Sequence, residues 1–261
     1  DEISNLNKIN NTLLKGKIEI PEISDTFNYK SLSKSYNSSG GIDVGNNIFS
    51  SNTYFQKFIP GKTFSISFIA SDSDPFILGF NQLFIVENNT KYPFLHAGAM
   101  SIDFDQPYKG YMLDWIKVIT KHYSLTGYIS IDFKIFNNNL EILDINPRLS
   151  GSYRLYTRKY KNLMFNHMMP GGPLDIKSND YFSYIILYAK NDLVVDKCIG
   201  SIEDVSDTPN IGQVIKKDMP IMTLNIRANN QYNLYKEIKR RIISAMKIID
   251  CYNTQLDYEQ Y

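Results

Sequence analysis

Apolar and polar positions alternate through much of this chain. In "YFQKFIPGKTFSISFIAS", residues 54–71, Phe64, Ile66, Phe68 and Ala70 alternate with Ser65 and Ser67. A period of two predicts half-buried strands, here strand, turn, strand. "PFILGFNQLFIVEN" continues the strands after "SDSDP". The period changes over 107–124, where apolar residues at 111, 112, 115, 116, 118 and 119 predict a helix. "GYISIDFKIF" and "LEILDINPR" read as two strands joined by a hairpin turn at the "NNN" of 137–139. Helical spacing returns over 153–169 and in a final amphipathic segment at about 231–250. The strand-like "FSYIILYAKNDLVV" and "DTPNIGQVIKKDMPIMTLNIRAN" lie between them. At the other end, Ser4 is placed to cap a helix over 4–16, and "NSSGGIDVGNN", 37–47, is too polar to pack. The order predicts an α+β fold with mostly antiparallel sheet, not the regular alternation of a doubly wound fold.

Composition narrows the function classes. The 261 residues are 43% hydrophobic, enough for a substantial core. Lys+Arg 28 against Asp+Glu 27 leaves a net charge of +1, which argues against nucleic-acid or anionic-membrane partners. No segment approaches the roughly 18 consecutive apolar residues of a membrane span. The polar N-terminus does not read as a signal peptide. Cys198 and Cys251 lie in unrelated contexts, so a reduced, cytoplasmic setting is expected.

The densest chemistry is in "LEILDINPRLSGSY", residues 140–153. An apolar strand carries Asp144, Asn146 and Arg148 on alternate positions, with Glu141 upstream, then breaks at Pro147 and a Ser-Gly-Ser turn. Asp132 on the preceding strand lies about as far from the hairpin turn as Asp144, so the two are expected as cross-strand neighbours. Paired carboxylates in a sheet raise each other's pKa, and a cation between them relieves it. Asp132, Asp144 and Asn146 offer hard oxygens suited to Mg²⁺ with phosphates completing the shell. A guanidinium at Arg148 fits charge developing on a phosphoryl group. The plain alternative for Asp144 and Arg148 is a structural ion pair at a strand end.

"GYISIDFKIFNNNLEILDINPRLSGS" resembles the metal-binding hairpin of the ATP-grasp superfamily: an acid on one strand, then acid-x-Asn-x-Arg on the next. The resemblance implies Asp132, Asp144 and Asn146 as Mg²⁺ ligands, with Mn²⁺ as a substitute, and Arg148 beside the transferred phosphate. "FNYKSLSKSYNSSGGIDV" is similar to the family's strand lysine and glycine-rich flap. It implies Lys30 on the ATP phosphates and Gly40 and Gly41 in the flap. The spacing is longer than usual and Ser31 replaces a proline, so Lys34 remains a second candidate. "YFQKFIPGKTFSISFIA" is similar to the hinge that carries the adenine, which implies Gln56, Lys57, Phe58 and Ile59 as nucleotide contacts. "LGFNQLFI", "HAGAM" and the C-terminal segments resemble a subgroup of carboligases related to biotin carboxylase.

The resemblance implies an ATP-grasp domain over 25–185, made of two α+β subdomains. A linker and short helix over 1–24 would precede it, and a small β-rich C-terminal region over 186–261 would follow. The family's usual N-terminal α/β domain is lacking, so a fragment, or a partner chain supplying that domain, is expected. The implied activity is ATP-dependent ligation of a small-molecule carboxylate and amine through an acylphosphate, in the manner of cofactor biosynthesis. A nucleotide-binding subunit and a small-molecule kinase remain alternatives.

Other signals are weaker. "PGKT" at 60–63 lacks the first glycine of a P-loop, because Gln56 stands there. His96, beside Gly98, and Gln82 are substrate-pocket candidates. His122 and His167 lie on predicted helices and read as structural or surface, and no Cys/His cluster has zinc spacing.

Overall fold

The computed structural model describes residues 18–35, 40–45, 52–104, 107–196 and 202–256. The helix expected over 4–16 and Cys198 lie outside them, as does part of the 37–47 loop.

The first segments build a small antiparallel sheet in the order β2-β5-β3-β4: β2 (Ile23–Ser24), β3 (Ser31–Ser35), β4 (Val44–Gly45) and β5 (Thr53–Lys57). A nine-stranded sheet dominates the rest, in the order β1-β10-β9-β6-β7-β8-β11-β15-β13. Its first members are β1 (Ile18–Glu19), β6 (Thr63–Ala70), β7 (Phe76–Ile85) and β8 (His96–Ile102). Helix α1 (Lys109–His122) follows, then β9 (Gly127–Phe136) and β10 (Asn139–Asn146), then α2 (Tyr153–Lys159) and α3 (Leu163–Met168). The chain closes with β11 (Tyr181–Tyr188), β12 (Leu193–Val194), β13 (Val205–Ser206), β14 (Val214–Ile215), β15 (Pro220–Ala228) and α4 (Gln231–Met246). Strands β12 and β14 form a separate two-stranded pair. The fold is α+β and mostly antiparallel, as the alternation predicts. Only the β1–β10 pairing is parallel among the described strands.

Register explains the layering. Phe64, Phe133 and Ile142 are successive cross-strand partners and pack on Met112, Trp115, Ile116 and Ile119 of α1. Met100 and Ile226 share that face farther along and meet Leu234, Ile238 and Ile242 of α4. Each fully buried Phe or Ile here contributes about 2 kcal/mol. The opposite face carries Tyr128, Ala99, Phe182 and Tyr184, covered by Leu155 and Tyr156 of α2 and Leu163 of α3.

Three expectations are corrected. The helix expected over 153–169 is two helices, because Tyr160 turns extended (φ −120°, ψ 145°) and its hydroxyl donates to the Leu78 carbonyl at 3.1 Å. Asn162, at φ 57°, then starts α3, so a buried tertiary contact outweighs helical periodicity. The terminal helix ends at Met246, short of 250. The domain boundary expected between 185 and 186 falls inside β11, so the C-terminal strands extend the same sheet that holds the metal-type hairpin. No described helix is long and apolar enough to cross a membrane.

Candidate active site

The β9–β10 hairpin turns on Asn137 (φ 49°) and Asn138 (φ 63°), residues that tolerate the left-handed region a tight two-residue turn needs. From there Glu141 pairs with Lys134 and Ile142 with Phe133, but Asp144 pairs with Asp132 and Leu143 bulges out. The bulge shifts the strand's phase by one residue. Without it, Asp144 would share the α1 face with Ile142. With it, Ile145 returns to the core, while Asp144 and Asn146 join Glu141 on the other face. Asp132 and Asp144 are therefore direct cross-strand neighbours, with Cβ atoms about 5 Å apart.

Four polar groups surround this pair. Asn146 Nδ2 lies 3.5 Å from Asp132 Oδ2, and Arg148 Nη2 donates to Asn146 Oδ1 at 3.1 Å. From the small sheet, Lys34 Nζ and Gln56 Nε2 both donate to the carbonyl of the bulged Leu143 at 3.3 Å. Lys34 also donates to Gln56 Oε1 at 3.2 Å. Burial pushes the Asp132 carboxyl up to about 7, and the neighbouring Asp144 adds to the rise. Lys34, Arg148 and Asn146 oppose it. Asp144 is also raised, chiefly by burial, with Lys34 the largest opposing influence. Of the two candidate lysines, Lys34 is the one brought to the pair, where Arg148 adds a second positive charge. Lys30 is exposed, with its Nζ 5.4 Å over the Tyr29 ring, and is not brought to the acids.

The segment similar to an adenine hinge is the crossing from β5 to β6. The Lys57 N–H donates to the Glu22 carbonyl at 2.9 Å and the Phe58 N–H to the Lys30 carbonyl at 2.8 Å. These two N–H groups are therefore committed within the protein. The buried Ile59 N–H has no hydrogen-bond partner among the described residues. Lys134 Nζ donates to the Ile59 carbonyl at 2.7 Å and lies 5.4 Å over the Phe58 ring, clasping the two sheets. Burial lowers its amine to about 8. Lys134 escaped the motif reading, although it stands one strand period beyond Asp132, on the same face.

The two glycines that the resemblance places in a flap, Gly40 and Gly41, rest on the entry to β8. The Gly40 carbonyl accepts the His96 N–H at 2.9 Å. A Cβ on Gly41, at φ 76°, would lie 1.8 Å from the Phe94 carbonyl oxygen, whereas one on Gly40 meets open space. Gly41→Ala is therefore expected to weaken nucleotide binding by about tenfold or more, and Gly40→Ala by only a few-fold, its backbone cost being about 1 kcal/mol. Equilibrium ATP titration of both variants checks the order.

A family model for the ATP-grasp domain matches residues 4–152. The chain belongs to the ATP-grasp family. The uncharacterized protein MJ0776 of Methanocaldococcus jannaschii is 27% identical over 175 residues, covering 67% of this chain. The chain spans only 42% of that relative's length. An L-amino acid ligase from Bacillus licheniformis superposes with a TM-score of 0.70 at 9% identity, over 96% of this chain and 70% of that one. Biotin carboxylase from Campylobacter jejuni, solved as a β-γ-ATP complex, gives 0.66 at 12% identity, over 97% and 68%. At these identities the likeness is one of fold.

The ATP-grasp hairpin implies Mg²⁺, and the donor set fits it. Two carboxylates and an amide oxygen share one face; burial raises the proton affinity of both acids, the Asp144 charge adds to the rise at Asp132, and a divalent cation would relieve both. Asn146 Oδ1 is turned to Arg148 and would have to be shared or released.

Beside the acids the sheet floor is lined with hydroxyls. Tyr128 donates to Ser67 Oγ at 2.9 Å and lies 3.1 Å from Ser152 Oγ and 3.3 Å from Ser150 Oγ. Asn81 Nδ2 donates to Ser65 Oγ at 3.1 Å, and Tyr156 donates to Asn81 Oδ1 at 2.8 Å. This buried network anchors the Ser-Gly-Ser turn that follows Arg148. The hairpin motif did not expose it, because Tyr128 reads as an ordinary strand aromatic. His167 is structural, its Nδ1 accepting the Tyr128 N–H at 3.0 Å.

The two weaker candidates separate. Gln82 pairs with Phe64 and Met100 on the helix-bearing face, away from the acids, so it does not belong to the site. His96 Nε2 lies 2.8 Å from the Tyr184 hydroxyl, close to Gly151 on the acid-bearing face. Gly98 serves a close approach to the backbone of Tyr184 and Ile185 rather than to a ligand. Burial pulls His96 down to about 4, so it is neutral in the folded protein. A depressed folded pKa gives stability that is present above the unfolded value of about 6.5 and lost as pH falls towards 4. We expect a loss of up to about 3 kcal/mol over that window, absent in His96→Asn. Urea midpoints at pH 7 and 4 measure it.

Proposed function

We propose that the chain catalyses ATP-dependent ligation of a carboxylate to an amine. The observation that carries this is the Asp132–Asp144 pair at the β10 bulge, with Lys34, Asn146 and Arg148 converging on it. Asp132, Asp144 and Asn146 would hold Mg²⁺, which would supply charge neutralisation for the triphosphate. Lys34 and Arg148 add fixed positive charge where the γ-phosphoryl group moves. The Ile59 N–H would meet the purine edge, and Gln56, bonded to Lys34 and Leu143, would stand nearer the phosphates. A carboxylate oxygen of the acceptor attacks the γ-phosphorus, and the bond to ADP breaks. The amine nitrogen then attacks the acyl carbon, loses a proton and expels inorganic phosphate. The Gly40–Gly41 turn excludes water while the acylphosphate exists. Nucleotide entry requires the Lys34 and Gln56 bonds to Leu143 to open, because they hold the two sheets together beside the acids.

The test is ADP release across a panel of carboxylates, with and without amines, and with hydroxylamine as a trap. Carboxylate-dependent ADP release together with a hydroxamate product is expected. A stable phosphorylated acceptor, with no response to amine or hydroxylamine, identifies a kinase and overturns ligation.

A further inference from the structure

A second cluster of cationic side chains lies beyond the acid pair, on the same side of the large sheet. Helix α2 and the loop through β13 flank an open surface cavity of about 400 Å³, lined by Arg154, Thr157 and Arg158 from one side and Asp204, Ser206, Asp207 and Asn225 from the other. That volume suits a small metabolite.

The two arginines of α2 differ in how they are satisfied. Arg154 Nη1 donates to Asp207 Oδ2 at 2.8 Å, and the same oxygen accepts from Thr223 Oγ1 at 2.8 Å, so this pair is closed. Arg158 lies 4.9 Å over the Phe182 ring. Its Nη1 is buried with no hydrogen-bond partner among the described residues. Phe182 pairs with Arg227 across β11 and β15, which places a second guanidinium nearby. Burial and Arg227 both work against the Arg158 charge, and Asp204 offsets part of this. A buried N–H left unpaired, beside a like charge, is costly unless an acceptor fills the space. Arginine's planar fork matches two oxygens of one oxyanion. Thr157, Ser206 and Asn225 add neutral hydrogen-bonding groups around it.

We propose that this cavity is an oxyanion subsite, in which Arg158 grips the carboxylate or phosphate group of a small molecule. The subsite does not depend on the ligase reading. It adjoins that site through Tyr184, whose ring carries Arg154 at 6.0 Å and whose hydroxyl meets His96.

Calorimetric titration of the full chain with inorganic phosphate, and separately with succinate, tests this at low ionic strength. Saturable binding of at least one anion is expected, weakened about tenfold or more in Arg158→Met and retained in Lys34→Met. Phosphate binding alone assigns a phosphoryl ligand, and succinate binding alone assigns a carboxylate. If Arg158→Met fails to fold by circular dichroism, Arg158→Lys replaces it. That variant keeps the charge but loses the fork, so several-fold weakening is still expected. No saturable binding of either anion overturns the subsite. So does binding indifferent to the Arg158 variants, or binding lost only in Lys34→Met.

Discussion

Asp144→Asn is expected to lower ATP turnover by about a thousandfold, equivalent to about 4 kcal/mol of transition-state stabilisation, while making the metal-free protein more stable at pH 8. Both effects follow from one geometry. Asp144 faces Asp132 directly, and the two charges are tolerated only at a cost. The amide has nearly the carboxylate's shape, so the bulge and the Lys34 contact to Leu143 stay in place. What it removes is half of the paired negative charge that would hold a divalent cation. The stability effect has the opposite sign. Asp132 is an acid whose folded pKa is raised to about 7, chiefly by burial and then by Asp144. Such a group stabilises the fold fully below its unfolded value of about 4, and that stability is lost as pH rises through about 7. Removing the Asp144 charge lowers the Asp132 value and shrinks the loss. The variant's advantage should therefore be largest near pH 8 and vanish near pH 4. Urea unfolding in a chelator at both pH values, beside steady-state ADP release, measures the two together. Turnover within tenfold of the parent, or a stability difference equal at both pH values, would remove the acid pair from the chemistry.

The second large effect separates two lysines that the motif left open. Lys34→Met should reduce kcat/KM for ATP by about a hundredfold or more, and Lys30→Met by less than about threefold. Lys34 Nζ reaches the Leu143 carbonyl at 3.3 Å and opposes the raised proton affinity of both Asp132 and Asp144. Lys30 is exposed over Tyr29. Gln56 still donates to Leu143 in the Lys34 variant, so the sheets stay joined and the loss reports charge rather than collapse. The reverse ranking would return the phosphate role to Lys30.

Both predictions rest on residues that differ in how far local pattern reveals them. Asp132, Asp144, Asn146 and Arg148 were legible, because a period of two and a hairpin turn are short-range properties. The asparagines of the turn and the alternation of the strands set which residues stand opposite one another to within one position. That last position belongs to the bulge at Leu143, and it decides whether Asp144 faces its partner acid or the α1 core. The bulge is settled by packing on both faces at once: Ile142 and Ile145 must both reach the core, although an uninterrupted strand would put them on opposite sides.

Longer-range features followed the same rule. The alternation of β6 and β7 identifies both strands, but only register across three strands shows that Gln82 stands behind the sheet and Asn81 in front. Helical spacing over 153–169 is real, yet Tyr160 leaves the helix to reach Leu78, a partner 82 positions away. Lys34 and Lys30 sit four residues apart in one polar stretch. The small sheet's crossing of β10 at Leu143 distinguishes them. The sequence alone therefore carries the class of fold and the hairpin that sets Asp132 opposite Asp144 to within one position, both of which depend on neighbours along the chain. Which lysine serves the acids, which face Gln82 takes and why Arg158 Nη1 finds no hydrogen-bond partner among the described residues depend on contacts between distant segments, and only packing in three dimensions could decide them.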